Sequence, residues 1–123
     1  MTGNSRRSRS ITILSAVVAV AFFGVGAAKL IGAEPMVETF ERFGFTMAFM
    51  RFIGAAEVAG AVGLFLPRLA PLAAVGLVLV TGGAVVQHAT YDPLVQAVPA
   101  ACLLVLCAFL AWVRRGELGV RRP

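Results

Sequence analysis

The sequence predicts an all-α polytopic membrane protein: an antiparallel four-helix transmembrane bundle with a short amphipathic helix in its first outer loop. Apolar residues make up 59% of the 123 residues, against roughly 45–50% in soluble domains. Charged residues make up 14%, against about 25% in soluble domains. A soluble chain this small could not bury so much apolar surface. Lipid as the surrounding solvent removes that difficulty, so the bilayer is the first predicted partner.

The third observation is that most basic residues flank the apolar segments. Eight arginines lie in the N-terminal tail, between the second and third apolar runs, or in the C-terminal tail: Arg6, Arg7, Arg9, Arg68, Arg114, Arg115, Arg121 and Arg122. Such an excess is typical of cytoplasmic ends of membrane segments. It predicts a multi-pass protein of the cytoplasmic membrane with both termini in the cytoplasm. The net charge of +5 comes with no base-reading module, which argues against nucleic acid as a partner.

Taken in order, the chain divides into a basic tail over residues 1–10, a membrane domain over residues 11–113 and a basic tail over residues 114–123. The first tail is expected to be disordered. Apolar runs of the length that crosses a hydrocarbon core of about 30 Å predict four spans, over residues 11–31, 47–66, 69–86 and 94–113. The first run is longer than the about 7–15 apolar residues of a signal peptide, which favours a retained span.

The connections carry their own signals. Between the first two spans, Pro35 suits the start of a helix and Gly44 suits its end, so a short amphipathic helix is predicted there. Thr46 is a candidate N-cap for the second span. A tight polar turn is predicted over residues 87–93, and Pro99 is expected to kink the fourth span.

Small residues recur at four-residue spacing in the first two spans. Such rows let the backbones of membrane helices approach closely. The predicted packing rows are Gly24, Ala28 and Gly32 on the first span, and Ala55, Ala59 and Gly63 on the second.

Two cysteines lie in the fourth span and form no C-x-x-C pair. Cys102 and Cys107 are five positions apart, about 140° around a helix of 3.6 residues per turn, so they cannot bridge within it. They are interpreted as small buried hydrophobes. A single histidine gives no basis for a metal site, and no cofactor motif is visible.

Glu57 is the most informative residue, because it lies in the middle of the second predicted span. A charged carboxylate at that depth costs roughly 2.5–3.5 kcal/mol, so Glu57 is expected to face the bundle interior. The predicted topology brings Lys29, Arg51 and His88 to the outer half of the same bundle. Lys29 and Arg51 could instead extend to the interface, His88 could be an ordinary interfacial residue, and Glu57 could be a structural ion-pair partner. The functional alternative is a polar pocket with Glu57 at its centre and Lys29 as counter-charge.

Four sequence elements in order resemble the DoxX-like family of small four-span bacterial membrane proteins. The resemblance covers about residues 11–113. Its elements are Gly26-Ala27-Ala28-Lys29-Leu30, the loop stretch Phe40-Glu41-Arg42-Phe43-Gly44, the second-span stretch from Ile53-Gly54 through Glu57 to Gly63-Leu64, and Gly83-Ala84-Val85-Val86-Gln87-His88. The resemblance therefore falls on Lys29, Glu57 and His88.

The resemblance implies a membrane protein and leaves its function open. The preferred hypothesis is a non-catalytic membrane subunit or partner-docking protein. The first alternative is a quinone-linked oxidoreductase component that works with redox subunits, since some relatives in the wider group are linked to thiosulfate or quinol oxidation. The second is a small transporter, which would need a homo-oligomer to enclose a path.

Overall fold

A computed structural model describes residues 2–117 of the chain, with side chains described from residue 9 onward, and every element in that part is helical. The all-α prediction is therefore confirmed. The elements are α1 (Thr2–Ile31), α2 (Glu34–Arg42), α3 (Met47–Gly63), α4 (Ala70–Tyr91), a 3-10 turn (Leu94–Ala97), α5 (Val98–Val113) and a second 3-10 turn (Arg115–Glu117).

The long helices form a bundle in which α1 packs on α3, α3 on α4, and α4 on α5. Short connections between consecutive helices make neighbours antiparallel. Within residues 2–117, three stretches are long and apolar enough to cross a membrane: Arg9–Ile31, Ala70–Tyr91 and Leu94–Val113. Helix α3 has 17 residues, about 26 Å at 1.5 Å per residue. Helix α3 meets α2 at a bend of 116°. If this bent pair of helices is counted as one span, the described part of the chain has four candidate spans.

The outer surface of the bundle is apolar, as a lipid-facing surface requires. Val20, Leu79, Val105 and Trp112 are each more than 60% exposed. The tightly packed core lies at the end of the bundle where α3 meets α4. Its buried members are Val18, Ala19, Phe22, Ala61, Leu64, Ala74, Leu77, Cys107 and Leu110.

Arg114 closes the bundle at that same end. Its guanidinium donates to the Ser15 hydroxyl at 3.0 Å and to the Leu64 carbonyl at 2.8 Å. It also forms two hydrogen bonds of 2.9 Å with the Glu117 carboxylate. The Leu64 carbonyl belongs to the last turn of α3, where carbonyls lack helical partners. Arg114 therefore joins α1, α3 and the end of α5 through one side chain.

Two helices meet through their backbones at Gly26 on α1 and Gly54 on α3. A Cβ added at Gly54 would lie 2.7 Å from the Gly26 carbonyl oxygen and 2.8 Å from Lys29 Cβ. A Cβ at Gly26 would lie 2.8 Å from the Gly54 carbonyl oxygen. Only residues without a side chain allow the two backbones to meet this closely.

The structure corrects the predicted packing rows. Gly24, Ala55 and Ala59 are exposed, and an added Cβ at Gly24 would meet nothing within 4 Å. Ala28 is half-buried, and Gly63 does pack, since its added Cβ would lie 2.8 Å from Ala73 Cβ. The rows were placed on the wrong faces because small residues occur on several faces of these helices, so four-residue spacing does not select one.

Gly32 belongs to a turn instead of a packing row. Its φ is +73°, and Gly44 has the same left-handed backbone with φ +84°. At each glycine the amide of the following residue donates to the carbonyl five residues before it, from Ala33 to Ala28 and from Phe45 to Phe40, both at 2.9 Å. This is the Schellman ending, which favours glycine. One such ending closes α1 and the other closes α2, so a left-handed glycine separates α2 from the helix on each side.

Two predicted boundaries differ from the structure. Helix α1 begins at Thr2, so the backbone of most of the predicted disordered tail is helical. Helix α4 continues to Tyr91 and takes in most of the turn predicted over residues 87–93, because polar side chains are compatible with a helix that leaves the hydrocarbon. Asp92, before Pro93, is extended, as the residue before a proline prefers. Residues 118–123 of the predicted C-terminal tail lie outside the described residues.

Thr46 and Pro99 both lie at the start of a helix. The Thr46 hydroxyl accepts a hydrogen bond of 3.1 Å from the Phe49 amide, which confirms the predicted cap. Pro99 lies in the first turn of α5, where the missing amide donor costs nothing. The helix geometry of the fourth predicted span therefore changes just before Pro99, where the 3-10 turn ends and α5 begins.

The close crossing of α1 and α3 predicts that an added methyl group lowers the stability of the protein at Gly54 but not at Gly24. Gly54→Ala places a Cβ against backbone atoms that cannot move aside, so we expect the free energy of unfolding to fall by about 1–3 kcal/mol. Gly24→Ala is the matched control and should be neutral or slightly stabilising, since alanine favours helix. Unfolding in detergent, followed by circular dichroism, measures both. Equal stability of the two variants would show that the crossing is looser than described.

Candidate functional site

A buried ion pair joins α1 to α3 directly beside the glycine crossing. Lys29 Nζ lies 2.8 Å from Glu57 Oε1, and the two side chains are 12% and 6% exposed. Gly54 lies one turn before Glu57, and its missing side chain leaves room for the Lys29 stem. The sequence expectation that Glu57 faces the bundle interior agrees with this position. Each charge offsets the desolvation of the other.

A cavity of about 480 Å³ opens above this pair, at the end of the bundle opposite Arg114. Helices α1, α3 and α4 form its walls, and α2 covers it with Met36, Thr39, Phe40 and Phe43. A volume of this size is in the range that accommodates a small organic molecule.

Aromatic rings dominate the α2 side of the cavity. Phe40, Phe43, Phe45 and Phe49 line it, and neighbouring rings pack at tilted angles with centroids 4.7–6.4 Å apart. Tilted and edge-on contacts are the arrangements that aromatic rings prefer. The ring of Phe43 also meets the ring of His88 edge-on at 5.1 Å.

Apart from Thr39 on α2, the polar groups of the cavity come from three helices. Lys29 and Glu57 lie on α1 and α3, and Gln87 and His88 lie on the last turns of α4. Two side-chain oxygens, Glu57 Oε1 and Gln87 Oε1, are buried without a hydrogen-bond partner among the described residues. Glu57 Oε1 has the Lys29 ammonium at 2.8 Å as its counter-charge, so Gln87 Oε1 is the acceptor that lacks any polar partner among the described residues. Buried acceptors are rarely left without donors.

Helix α2 is held to the end of α4 by a charged cluster. Arg42 donates to both Asp92 oxygens, from Nε at 2.7 Å and from a terminal nitrogen at 3.2 Å. His88 Nδ1 lies 2.7 Å from the same carboxylate. The Arg42 hydrogen bonds, followed by the one from His88, hold the pKa of Asp92 below its usual value. Pairing with Asp92 also raises the pKa of Arg42. We call these three residues the roof cluster.

Three of the four residues predicted for the polar site line this one cavity: Lys29, Glu57 and His88. Arg51 does not, and this part of the prediction is wrong. Its side chain is exposed and passes beside the turn at Gly32, where a Cβ would lie 3.4 Å from its guanidinium. Arg51 lies near the end of α3, so a long side chain reaches out of the bundle at little cost.

Sequence reasoning missed Gln87 and the roof cluster. Gln87 was placed in a turn, whereas the helix continues past it and points it at the cavity. Arg42 and Asp92 are 50 positions apart, and no local spacing connects them. The aromatic residues of α2 did carry a signal, since Phe40 and Phe43 follow the helical spacing of its apolar face.

The two cysteines of α5 differ in their exposure. Cys107 is buried in the core and Cys102 is exposed on the bundle surface; both are free. The buried position agrees with the interpretation of Cys107 as a hydrophobe, whereas Cys102 is not buried. Within residues 2–117, no group of three or more metal-ligating side chains is brought together.

A polytopic bundle with a lipid-exposed apolar surface and an internal charged pair defines an integral membrane protein. The chain belongs to the DoxX-like family, whose model matches residues 13–111 and so covers most of the bundle. The resemblance found in the sequence is thereby confirmed. No curated protein and no solved structure shows a significant match to the chain.

The buried ion pair predicts strong coupling between its two residues. Glu57→Gln or Lys29→Met alone leaves one buried charge without its counter-charge, and we expect each to cost about 3–5 kcal/mol of unfolding free energy. The double variant removes both charges and should cost clearly less than the sum of the two. A double-mutant cycle on thermal unfolding measures the difference. Additive losses would show that the two charges do not depend on each other.

The roof cluster predicts a pH-dependent contribution to stability. The pKa of Asp92 is lowered in the folded protein, so its contribution is complete above its ordinary value of about 3.9 and is lost as the pH falls through the lowered value. Thermal unfolding of the wild type and of Asp92→Asn should therefore differ near neutral pH and converge as the pH falls through the lowered pKa of Asp92. A difference that does not shrink as the solution is made more acidic would contradict the role of the Asp92 charge.

Proposed function

We propose that this chain is a membrane-embedded binding subunit that holds a lipophilic molecule in the cavity beneath α2 and presents it to a partner protein. The observation that carries the proposal is the cavity itself. It lies within the bundle, it is walled by four phenylalanines, and its floor is a buried ion pair. A recess that combines apolar walls with a few convergent polar groups is typical of ligand sites.

The same proposal includes the topology. The bent pair of α2 and α3 acts as the fourth span, with α3 in the hydrocarbon and α2 lying along the outer surface. The excess of arginines at the opposite end of the bundle supports cytoplasmic termini. The cavity then opens in the outer half of the cytoplasmic membrane, at a depth that molecules dissolved in the outer leaflet reach directly.

A quinone-linked role is the second candidate function. The observation that favours it is the pairing of hydrogen-bonding side chains with aromatic walls, because a quinone has a ring and two polar oxygens. Lys29 and Gln87 would hold those oxygens, and Glu57 would hold a proton at its carboxylate. A bound quinone supplies two-electron redox chemistry, for which the partner subunits would provide the electron donor.

The cavity offers a sharp test with a matched control. Gly83 lines the cavity and Gly82 does not, and a Cβ at either position would meet nothing within 4 Å. Gly83→Leu should therefore fill the cavity without displacing the helix, and Gly82→Leu should leave it open. The full chain is purified from native membranes in mild detergent, and its bound lipophilic molecules are extracted and identified by mass spectrometry.

We expect the wild type and Gly82→Leu to retain a lipophilic molecule that Gly83→Leu retains at a level at least about tenfold lower, the equivalent of about 1.4 kcal/mol. A quinone in the retained fraction would favour the second candidate. Identical extracts from all three proteins would overturn the binding proposal.

A further inference from the structure

The cavity leaves one buried acceptor without a donor, and this restricts what it can hold. Glu57 Oε1 has the Lys29 ammonium 2.8 Å away, whereas Gln87 Oε1 has no hydrogen-bond partner among the described residues. A buried acceptor without a donor costs about 1–3 kcal/mol. Gln87 lines the cavity, so a molecule bound there with a hydrogen-bond donor can satisfy its oxygen.

The charges around the cavity argue that the bound molecule is neutral. Lys29 and Glu57 carry opposite charges and neutralise each other at 2.8 Å. His88 is engaged through Nδ1 with Asp92, which Arg42 in turn neutralises. An anionic ligand would compete with Glu57 for Lys29, and a cationic ligand would compete with Lys29 for Glu57. Either exchange would leave a charge buried without its partner.

The aromatic walls of the cavity favour a ligand that contains an aromatic ring. Phe40, Phe43, Phe45 and Phe49 surround the space above the ion pair. Aromatic rings bind other rings edge-on and offset-stacked, which adds about 0.5–1.5 kcal/mol per contact beyond burial. An alkyl chain gains no such contacts.

We infer that the ligand is an uncharged lipophilic phenol: an aromatic ring with a hydroxyl group and an apolar tail. This inference rests on the proposed function and names the chemical class of its ligand. The hydroxyl donates to Gln87 Oε1 and accepts from the Lys29 ammonium. An ether oxygen accepts but cannot donate. Gln87, whose oxygen needs a donor, is thus the residue that distinguishes a hydroxyl from an ether at the same position.

The test compares para-heptylphenol with its methyl ether, para-heptylanisole, which has the same ring and tail but no donor. The full chain is placed in phosphatidylcholine nanodiscs, whose lipid has no headgroup hydroxyl, and each probe is titrated calorimetrically against empty nanodiscs. We expect the wild type to bind the phenol at least about tenfold more tightly than the ether, the size of one donor lost from a buried acceptor. In Gln87→Leu this preference should shrink severalfold while ether binding is kept, and Gly82→Leu should behave as the wild type.

The outcomes separate the two proposals. Equal binding of phenol and ether by the wild type, or tighter binding of the charged probe para-heptylbenzoate, would overturn the assignment of a phenol and leave the binding function intact. If neither probe binds saturably and Gly83→Leu is indistinguishable from the wild type, the proposed function fails with it. The comparison of probes on the wild type does not depend on the folding of any variant.

Discussion

The crossing of α1 and α3 fixes the rest of the molecule, because it brings two backbones and two opposite charges together at one place. Gly26 and Gly54 let the helices touch through their backbones. Lys29 and Glu57 then meet at 2.8 Å, one turn along each helix. A charge inside a bilayer is expensive unless it is paired, and the pair forms only if the helices cross where the glycines allow it. Backbone contact and charge pairing therefore require the same geometry.

From this crossing the bundle divides into a solid end and a hollow end. At the solid end, apolar side chains of α1, α3, α4 and α5 fill the interior, and Arg114 ties three helices together. At the hollow end, small residues on α4 leave space, and α2 covers it as a roof. The tightly packed core and the cavity thus lie at different ends of one short bundle, with the ion pair at their boundary.

Much of the fold followed from the sequence, because long apolar runs and flanking arginines are strong signals. Glu57 and Lys29 were found for the same reason: a charge in an apolar run demands a partner. The packing faces were misplaced, since small residues at four-residue spacing occur on several faces of a helix rich in glycine and alanine. Arg51 was misassigned because depth along a helix does not tell which way a long side chain extends. Gln87 and the contact of Arg42 with Asp92 depend on how α2 folds back over α4, which no local pattern reveals.

The left-handed glycines on either side of α2, Gly32 and Gly44, make α2 a separate segment that sequence changes can alter by itself. Both Gly32 and Gly44 close a helix with the amide bonds of its own last turn, so the segment between them begins and ends independently of the helices it joins. Replacement of that segment by another of similar length would reshape the ceiling of the chamber and leave the floor and its charges untouched. Exchange of the nine residues of α2 can therefore change the shape of the cavity while the membrane-spanning helices keep their packing.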